Sequence, residues 1–204
     1  MIPKPPACEG CPFARAGVYF VPDKLNPKAK LRVVAQNPGA DEERGQRFVG
    51  WAGNGERWEQ TEPQPMIGKS GRDMRRSFLR LAGVAEDEVE WCNVIRCRVR
   101  GSNELPPVQS KQLREAVAHC QRAYWKPPAE GVKVVALGAH ALWALTGESG
   151  ADDEGDDAEE YRANRGIVGW RGWTTPWRPQ WELSPVPTGR VFITFHPAYY
   201  FRAH

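Results

Sequence analysis

Short apolar runs alternate along the chain with segments whose apolar residues recur at helical spacing. Leu31 to Ala35 is β-branched and apolar, and it breaks abruptly into Asn37-Pro38-Gly39 and then into acid. Val89 to Ile95, Val132 to Leu137 and Arg190 to Thr194 have similar length and character. Runs of this kind ending in turn residues predict buried strands. Between them, the pattern predicts a helix capped by Ser70, with Asp73 reaching back, an apolar face of Met74, Phe78, Leu81 and Ala82, and a stop at Gly83. A second helix from about Ser110 to Trp125 places Leu113, Val117, Cys120 and Tyr124 on one face, and a third, short one covers Ala139 to Leu145. Strands alternating with helices predict an α/β sheet, whose ligand site lies beyond the carboxyl ends of its strands.

Two stretches carry no period. Residues 44 to 64, rich in Gly, Trp and charge, are expected to form an extended loop, and residues 148 to 160 a solvated acidic loop. That loop changes the charge picture. The net charge of +3 includes eight acids between Glu148 and Glu160, and without them 28 basic residues face only 17 acidic ones. The remaining surface is basic, as in a phosphate-backbone binder. The length of 204 residues suits a single domain. No apolar stretch reaches membrane-spanning length and the start lacks an apolar leader core, so a cytoplasmic protein without membrane contact is expected. Nothing in the pattern specifies an oligomer, and a monomer is expected. Trp170, Trp173, Trp177 and Trp181 crowd together and are read as a hydrophobic cover rather than a stacking platform.

Candidate chemistry falls into two groups. Cys8-x-x-Cys11, Cys97 and Cys120 can converge on one metal centre, and an all-thiolate set suits zinc or a 4Fe-4S cluster alike. Cys92, inside a strand, is read as a core residue. At the strand ends stand Asn37, Asn93 and His196, two amides and an imidazole suited to reading the edge of a planar heterocycle and positioning a water. The chain has no Walker loop and no Gly-rich dinucleotide fingerprint, which argues against phosphoryl and hydride transfer.

Taken together, Ala35-Gln36-Asn37-Pro38-Gly39-Ala40-Asp41-Glu42, Pro65-Met66-Ile67-Gly68-Lys69-Ser70-Gly71, Asn93-Val94-Ile95-Arg96-Cys97, Leu137-Gly138, Arg171-Gly172 and Thr194-Phe195-His196-Pro197-Ala198 resemble the uracil-DNA glycosylase superfamily, in particular its iron-sulfur, family-four-like branch. The resemblance implies a three-layer α/β/α sandwich around a short, mostly parallel four-stranded sheet. It further implies a 4Fe-4S cluster on Cys8, Cys11, Cys97 and Cys120, and a flipped uracil in the strand-end crevice. Asn93 would then bind the base edge and His196 would stabilise the departing uracil anion. Lys69, Ser70 and Arg72 would contact the DNA backbone.

The chain departs from that branch in two informative places. Where the branch usually shows a carboxylate in Gly-Glu-Ala-Pro-Gly, this chain has Gln36, and its Asn-Pro-Gly is similar to the mismatch-specific glycosylases, where the Asn positions water. Asn37 is therefore the expected water-positioning residue, with Gln36 as its competitor. Where a Phe usually stacks on the base, Met66 occupies the aligned place, and Phe48 in Arg47-Phe48-Val49-Gly50 is the alternative. The expected activity is monofunctional hydrolysis of the N-glycosidic bond of uracil, or another deaminated base, in DNA. The alternative is a catalytically degenerate iron-sulfur module that binds DNA or a replication partner.

Overall fold

A computed structural model describes residues 1–15, 19–53, 55–99, 105–108, 110–147, 174–176, 190–194 and 196–197. The acidic run, the four clustered tryptophans, Arg171-Gly172, Phe195 and Ala198 lie outside the described residues.

The central sheet is built from β3 (Leu31–Ala35), β6 (Val89–Asn93), β7 (Lys133–Leu137) and β9 (Arg190–Thr194), all parallel, in the order β6-β3-β7-β9. A fifth strand, β8 (Thr174–Pro176), pairs antiparallel on the outer side of β9. The four expected strands are thus present, and the edge strand is an addition that a three-residue Thr-Thr-Pro gives little sign of. Proline is tolerated there because β8 is an edge.

Alternation sorts the sheet into two faces. Val34, Cys92, Val134, Ala136, Val191 and Ile193 pack on one side with α4 (Lys111–Tyr124) and α5 (Ala139–Thr146). Leu31, Val33, Ala35, Trp91, Val135 and Leu137 pack on the other with Met74 and Leu79. These are the three layers of an α/β/α sandwich. Ser110 caps α4, its hydroxyl accepting from the Leu113 amide at 3.2 Å, and Leu113, Val117 and Cys120 are buried as the periodicity predicts.

The helix on the second face departs from expectation at both ends. It begins at Lys69, not Ser70, with the extended Gly68 as its cap and no side-chain capping bond; the Arg72 amide already reaches the Gly68 carbonyl at 3.1 Å. α2 (Lys69–Asp73) then loosens into π turns over Met74–Leu79 before α3 (Arg80–Ala82), and Gly83 closes it at φ 64°. Each i to i+5 turn rotates the face backwards relative to an α-helix. Leu79 is consequently buried while Leu81, expected on the apolar face, is 84% exposed.

The expected loop at residues 44 to 64 is also corrected. α1 (Ala40–Arg44) runs into an antiparallel hairpin, β4 (Gln46–Ala52) and β5 (Gly55–Gln60), with a register shift between Phe48 and Gly50. The bulge breaks the alternation; β5 is almost wholly exposed, and β4 fully buries only Phe48 and Gly50. A two-residue period was therefore hidden in the sequence. At the N-terminus a short ladder pairs β1 (Ile2–Pro3) with β2 (Tyr19–Phe20).

Candidate active site

The carboxyl edge of the parallel sheet gathers three of the expected residues. β3 and β6 pair in register to Ala35 and Asn93, and the ladder continues one step further, the Val94 and Ile95 amides donating to the carbonyls of Ala35 and Gln36 at 2.9 and 3.0 Å. That extension holds the Gln36-Asn37 turn beside Asn93. On the other side, Gly138 follows β7 and His196 follows β9. The Gly138 amide donates to the Thr194 carbonyl at 3.0 Å, and a Cβ on Gly138 would stand 3.5 Å from that of His196. That separation is an ordinary contact, and what calls for glycine here is the backbone, which enters α5 at φ 85°.

The two amides are left unsatisfied. Asn93 is 1% exposed, and neither its Nδ2 nor its Oδ1 has a hydrogen-bond partner. Asn37 is 8% exposed; its Nδ2 donates to its neighbour's carbonyl, Pro38 O, at 3.2 Å, and its Oδ1 accepts nothing. A buried polar atom without a partner costs about 1–3 kcal/mol, so such groups persist where a ligand supplies the missing bonds. Gln36 is half-buried and contributes its carbonyl to the β6 side.

A carboxylate that the sequence reading passed over braces this turn. Glu42 accepts the Gly39 amide on Oε2 at 3.0 Å and the Met66 amide on Oε1 at 2.5 Å. Burial pushes its carboxyl up to about 7, and the two amides and Arg75 pull the other way. The Gly-x-x-Glu spacing of a helix start was the signal that could have found it. Met66 is itself constrained. It is the non-glycine residue with positive φ among the described residues, at 61°, and its carbonyl takes a hydrogen bond from Arg75. Arg75 in turn donates from Nε to Glu86 at 2.7 Å and lies 4.5 Å from the Trp91 ring.

Both candidates for the stacking residue reach this region. The Phe48 amide donates to the Ile67 carbonyl at 2.8 Å, fixing β4 alongside the Met66 turn. Met66 packs with the core residues Ala35 and Leu137, whereas the Phe48 ring lies against Trp51 and Trp58 at 4.7 and 4.9 Å. The three expected backbone contacts follow the same loop. Lys69 pairs with Glu56 across from β5 and lies 5.7 Å from the Phe48 ring. Ser70 is half-buried in the first turn of α2. Arg72 lies 4.9 Å from the Trp51 ring, its Nε buried without a partner.

The four cysteines of the candidate metal set lie apart from this edge. All five cysteines of the chain are free thiols. Cys92 is fully buried in the sheet, as expected for a core residue. Cys8 lies 3.2 Å from the Tyr124 hydroxyl, Cys11 accepts the Phe13 amide at 3.4 Å, and Cys120 accepts from Arg96 at 3.5 Å. Burial, and the proximity of Cys120, Cys11 and Cys8, hold the Cys97 thiol up at about 12 against the pull of Lys4. Among the described residues no group of three or more such side chains is closed into a coordination shell. The donor set nonetheless suits a soft ion: Cys97 and Cys11 both feel the charge of Cys8 and Cys120, and an all-thiolate set suits zinc or an iron-sulfur cluster.

The α/β/α sandwich thus sets paired amides and a His-Pro at the carboxyl edge of its parallel sheet, where folds of this class bind their ligands. The model of the uracil DNA glycosylase superfamily matches residues 22–204, and the chain belongs to that superfamily. Among the described residues no helix is long and apolar enough to cross a membrane.

Proposed function

We propose that this protein is a monofunctional uracil-DNA glycosylase that hydrolyses the N-glycosidic bond of a flipped deaminated base and leaves an abasic site. The observation that carries the reading is the pair of buried amides, Asn37 and Asn93, with three polar atoms unsatisfied at adjoining strand ends. Uracil offers N3–H as donor and O4 as acceptor on one edge. The Asn93 carboxamide presents the complementary acceptor and donor, and a base filling the crevice satisfies both.

Bond cleavage places negative charge on the base and positive character on the sugar carbon. His196, entering from the far side of Gly138, stabilises the uracil anion, and a donor held there before reaction lowers the barrier without reorganisation. Asn37 Oδ1 accepts a hydrogen bond from the attacking water and aims its lone pair at the sugar carbon, the water's proton passing in the end to the departed uracil anion; Gln36 is its competitor for that task. Met66 or Phe48 closes over the base, and Lys69, Ser70 and Arg72 meet the flanking phosphates. Cys8, Cys11, Cys97 and Cys120 hold a 4Fe-4S cluster, with zinc as the less favoured ion. When bound, the group supplies bonds that tie the N-terminal segment to α4 and to the chain after β6.

The test is incubation of anaerobically purified protein with uracil-containing single- and double-stranded DNA, abasic sites being revealed by alkali. Asn37→Ala should lower kcat by about 100-fold or more, in the range general-base positioning supplies. A wild-type protein with its metal intact that leaves no abasic sites would instead be a binding module. Elemental analysis giving four irons per chain, lost on Cys97→Ser, supports the cluster; zinc without iron overturns it and keeps the ligands.

A further inference from the structure

The outer face of the helix from Lys69 to Ala82 borders a cleft of about 570 Å³ lined by Arg72, Arg75, Arg76 and Arg80 together with Asp73 and Ser77. Between the same helix and β4 lies a second cleft of about 350 Å³, whose walls again include Arg72, Arg75 and Arg76 and add Arg47 and Phe48. Sharing three arginines, the two form one groove. Its three acids do not balance its five arginines: Asp73 lies 3.8 Å from Arg72, and Glu59 and Glu86 line the β4 side. Glu86 is already bonded to both Arg47 and Arg75, and Arg76 and Arg80 are exposed with no acidic partner among the described residues. From Arg72 to Arg80 the helix rises at most about 12 Å, a span for only a few phosphates of one strand.

At the head of this groove stands Trp51, 58% exposed. Its ring is set at 78° to Phe48 with centroids 4.7 Å apart, and the Arg72 guanidinium lies 4.9 Å from its centre. Phe48 is backed by Trp58 at 4.9 Å. An aromatic ring held this firmly yet left open to solvent is preorganised for a flat partner. Double-stranded DNA keeps its bases stacked on one another and offers such a ring no face, whereas an unpaired base does.

We propose that this groove binds a single-stranded polynucleotide, an unpaired base stacking on Trp51 while the following phosphates lie along Arg76 and Arg80. The proposal rests on the glycosylase reading in taking the polynucleotide to be DNA, and it adds a strand preference that the strand-end crevice alone does not supply. The β4–β5 hairpin is then the element that carries the preference.

The test measures binding of the full-length protein to a labelled twelve-residue oligothymidylate and to its duplex with oligoadenylate, by fluorescence anisotropy across a salt series. The wild type should favour the single strand. Trp51→Ala should lower the single-strand-to-duplex affinity ratio about tenfold, as loss of one stacked base does, and Trp51→Phe should restore most of it. Arg76→Ala with Arg80→Ala should flatten the slope of log affinity against log salt by about 1.4, from about 0.7 per phosphate contact on single strands. Equal affinity for the two forms, an unchanged ratio in Trp51→Ala or an unchanged salt slope would overturn the proposal. Neither DNA contains uracil, so binding as described by a protein that excises nothing refutes only the glycosylase reading. Uracil excision with a ratio indifferent to Trp51 refutes only the groove.

Discussion

Glu42 shows how much of a site one buried residue can govern. Its two oxygens hold the turn that carries Asn37 and the turn that carries Met66, so its ionisation state is shared by both. The carboxylate accepts both amides; protonation converts one acceptor into a donor facing an N–H. With the group pushed up to about 7 by burial, excision should rise with pH through about 7, and Glu42→Gln should flatten that limb of the kcat profile. Stability should move the other way. A carboxyl whose folded pKa exceeds its unfolded value binds its proton more tightly when folded, so its stabilising contribution is complete below about pH 4.3 and is lost as pH rises through about 7. Between those limits the wild type should lose roughly 3 kcal/mol relative to Glu42→Gln, as read by urea titration at each pH. The strand-end residues Asn37, Asn93 and His196 were legible in the sequence because a strand followed by a turn announces its own end. Glu42 was harder to find, because in the run Ala-Asp-Glu-Glu only its place three residues after Gly39 separates the brace from Glu43, which is buried as well.

The helix on the second face and the hairpin beside it show where local pattern misleads about elements. Four parallel strands and the helix α4 could be read from apolar runs and a serine cap, since core burial imposes those patterns directly. The hairpin could not. Its bulge interrupts the alternation, β5 is exposed over nearly its whole length, and β4 fully buries only Phe48 and Gly50. The π turns at Met74–Leu79 displaced the apolar face in the same way, trading the expected Leu81 for Leu79. Gly71 is the contact on which this region depends. A Cβ there would fall 1.5 Å from the Met66 carbonyl oxygen, a backbone atom that the Arg75 hydrogen bond also holds in place. Gly71→Ala must therefore move α2 away from the Met66 turn. It should cost about 3 kcal/mol in chemical denaturation, the upper part of the range for overpacking. KM for uracil DNA should rise more than kcat falls, because the displaced turn closes over the base rather than over the water. Gly55→Ala, at a site with no atom within 4 Å and, like Gly71, without positive φ, controls for loss of a glycine as such.

Across the whole molecule the two centres are joined by buried charge. Asp23 accepts the Asn93 backbone amide at 3.3 Å on one oxygen, and on the other it receives the Arg96 guanidinium, whose Nε lies 3.1 Å away. Arg96 also reaches the Cys120 sulfur. The chain of contacts thus runs from Asn93, proposed to read the base, to a cysteine of the candidate metal centre, through a pair whose side chains are only 8% and 2% exposed. Sequence gave no hint of it: Asp23 is 70 residues from Asn93 in the chain, and only the fold brings the two together. Asp23→Ala leaves the guanidinium buried and uncompensated, and removing one partner of such a pair costs about 3–5 kcal/mol. Replacing both, as Asp23→Leu with Arg96→Met, removes the stranded charge and should recover most of that loss, because an apolar pair of similar volume is often neutral. Urea unfolding of the single and double variants measures this directly. Activity should separate from stability in the same set. The double variant regains its fold, yet the Asn93 amide still lacks its acceptor and Cys120 its donor, so uracil excision should stay below wild type. A double variant with full activity would show that Asp23 and Arg96 serve the fold alone.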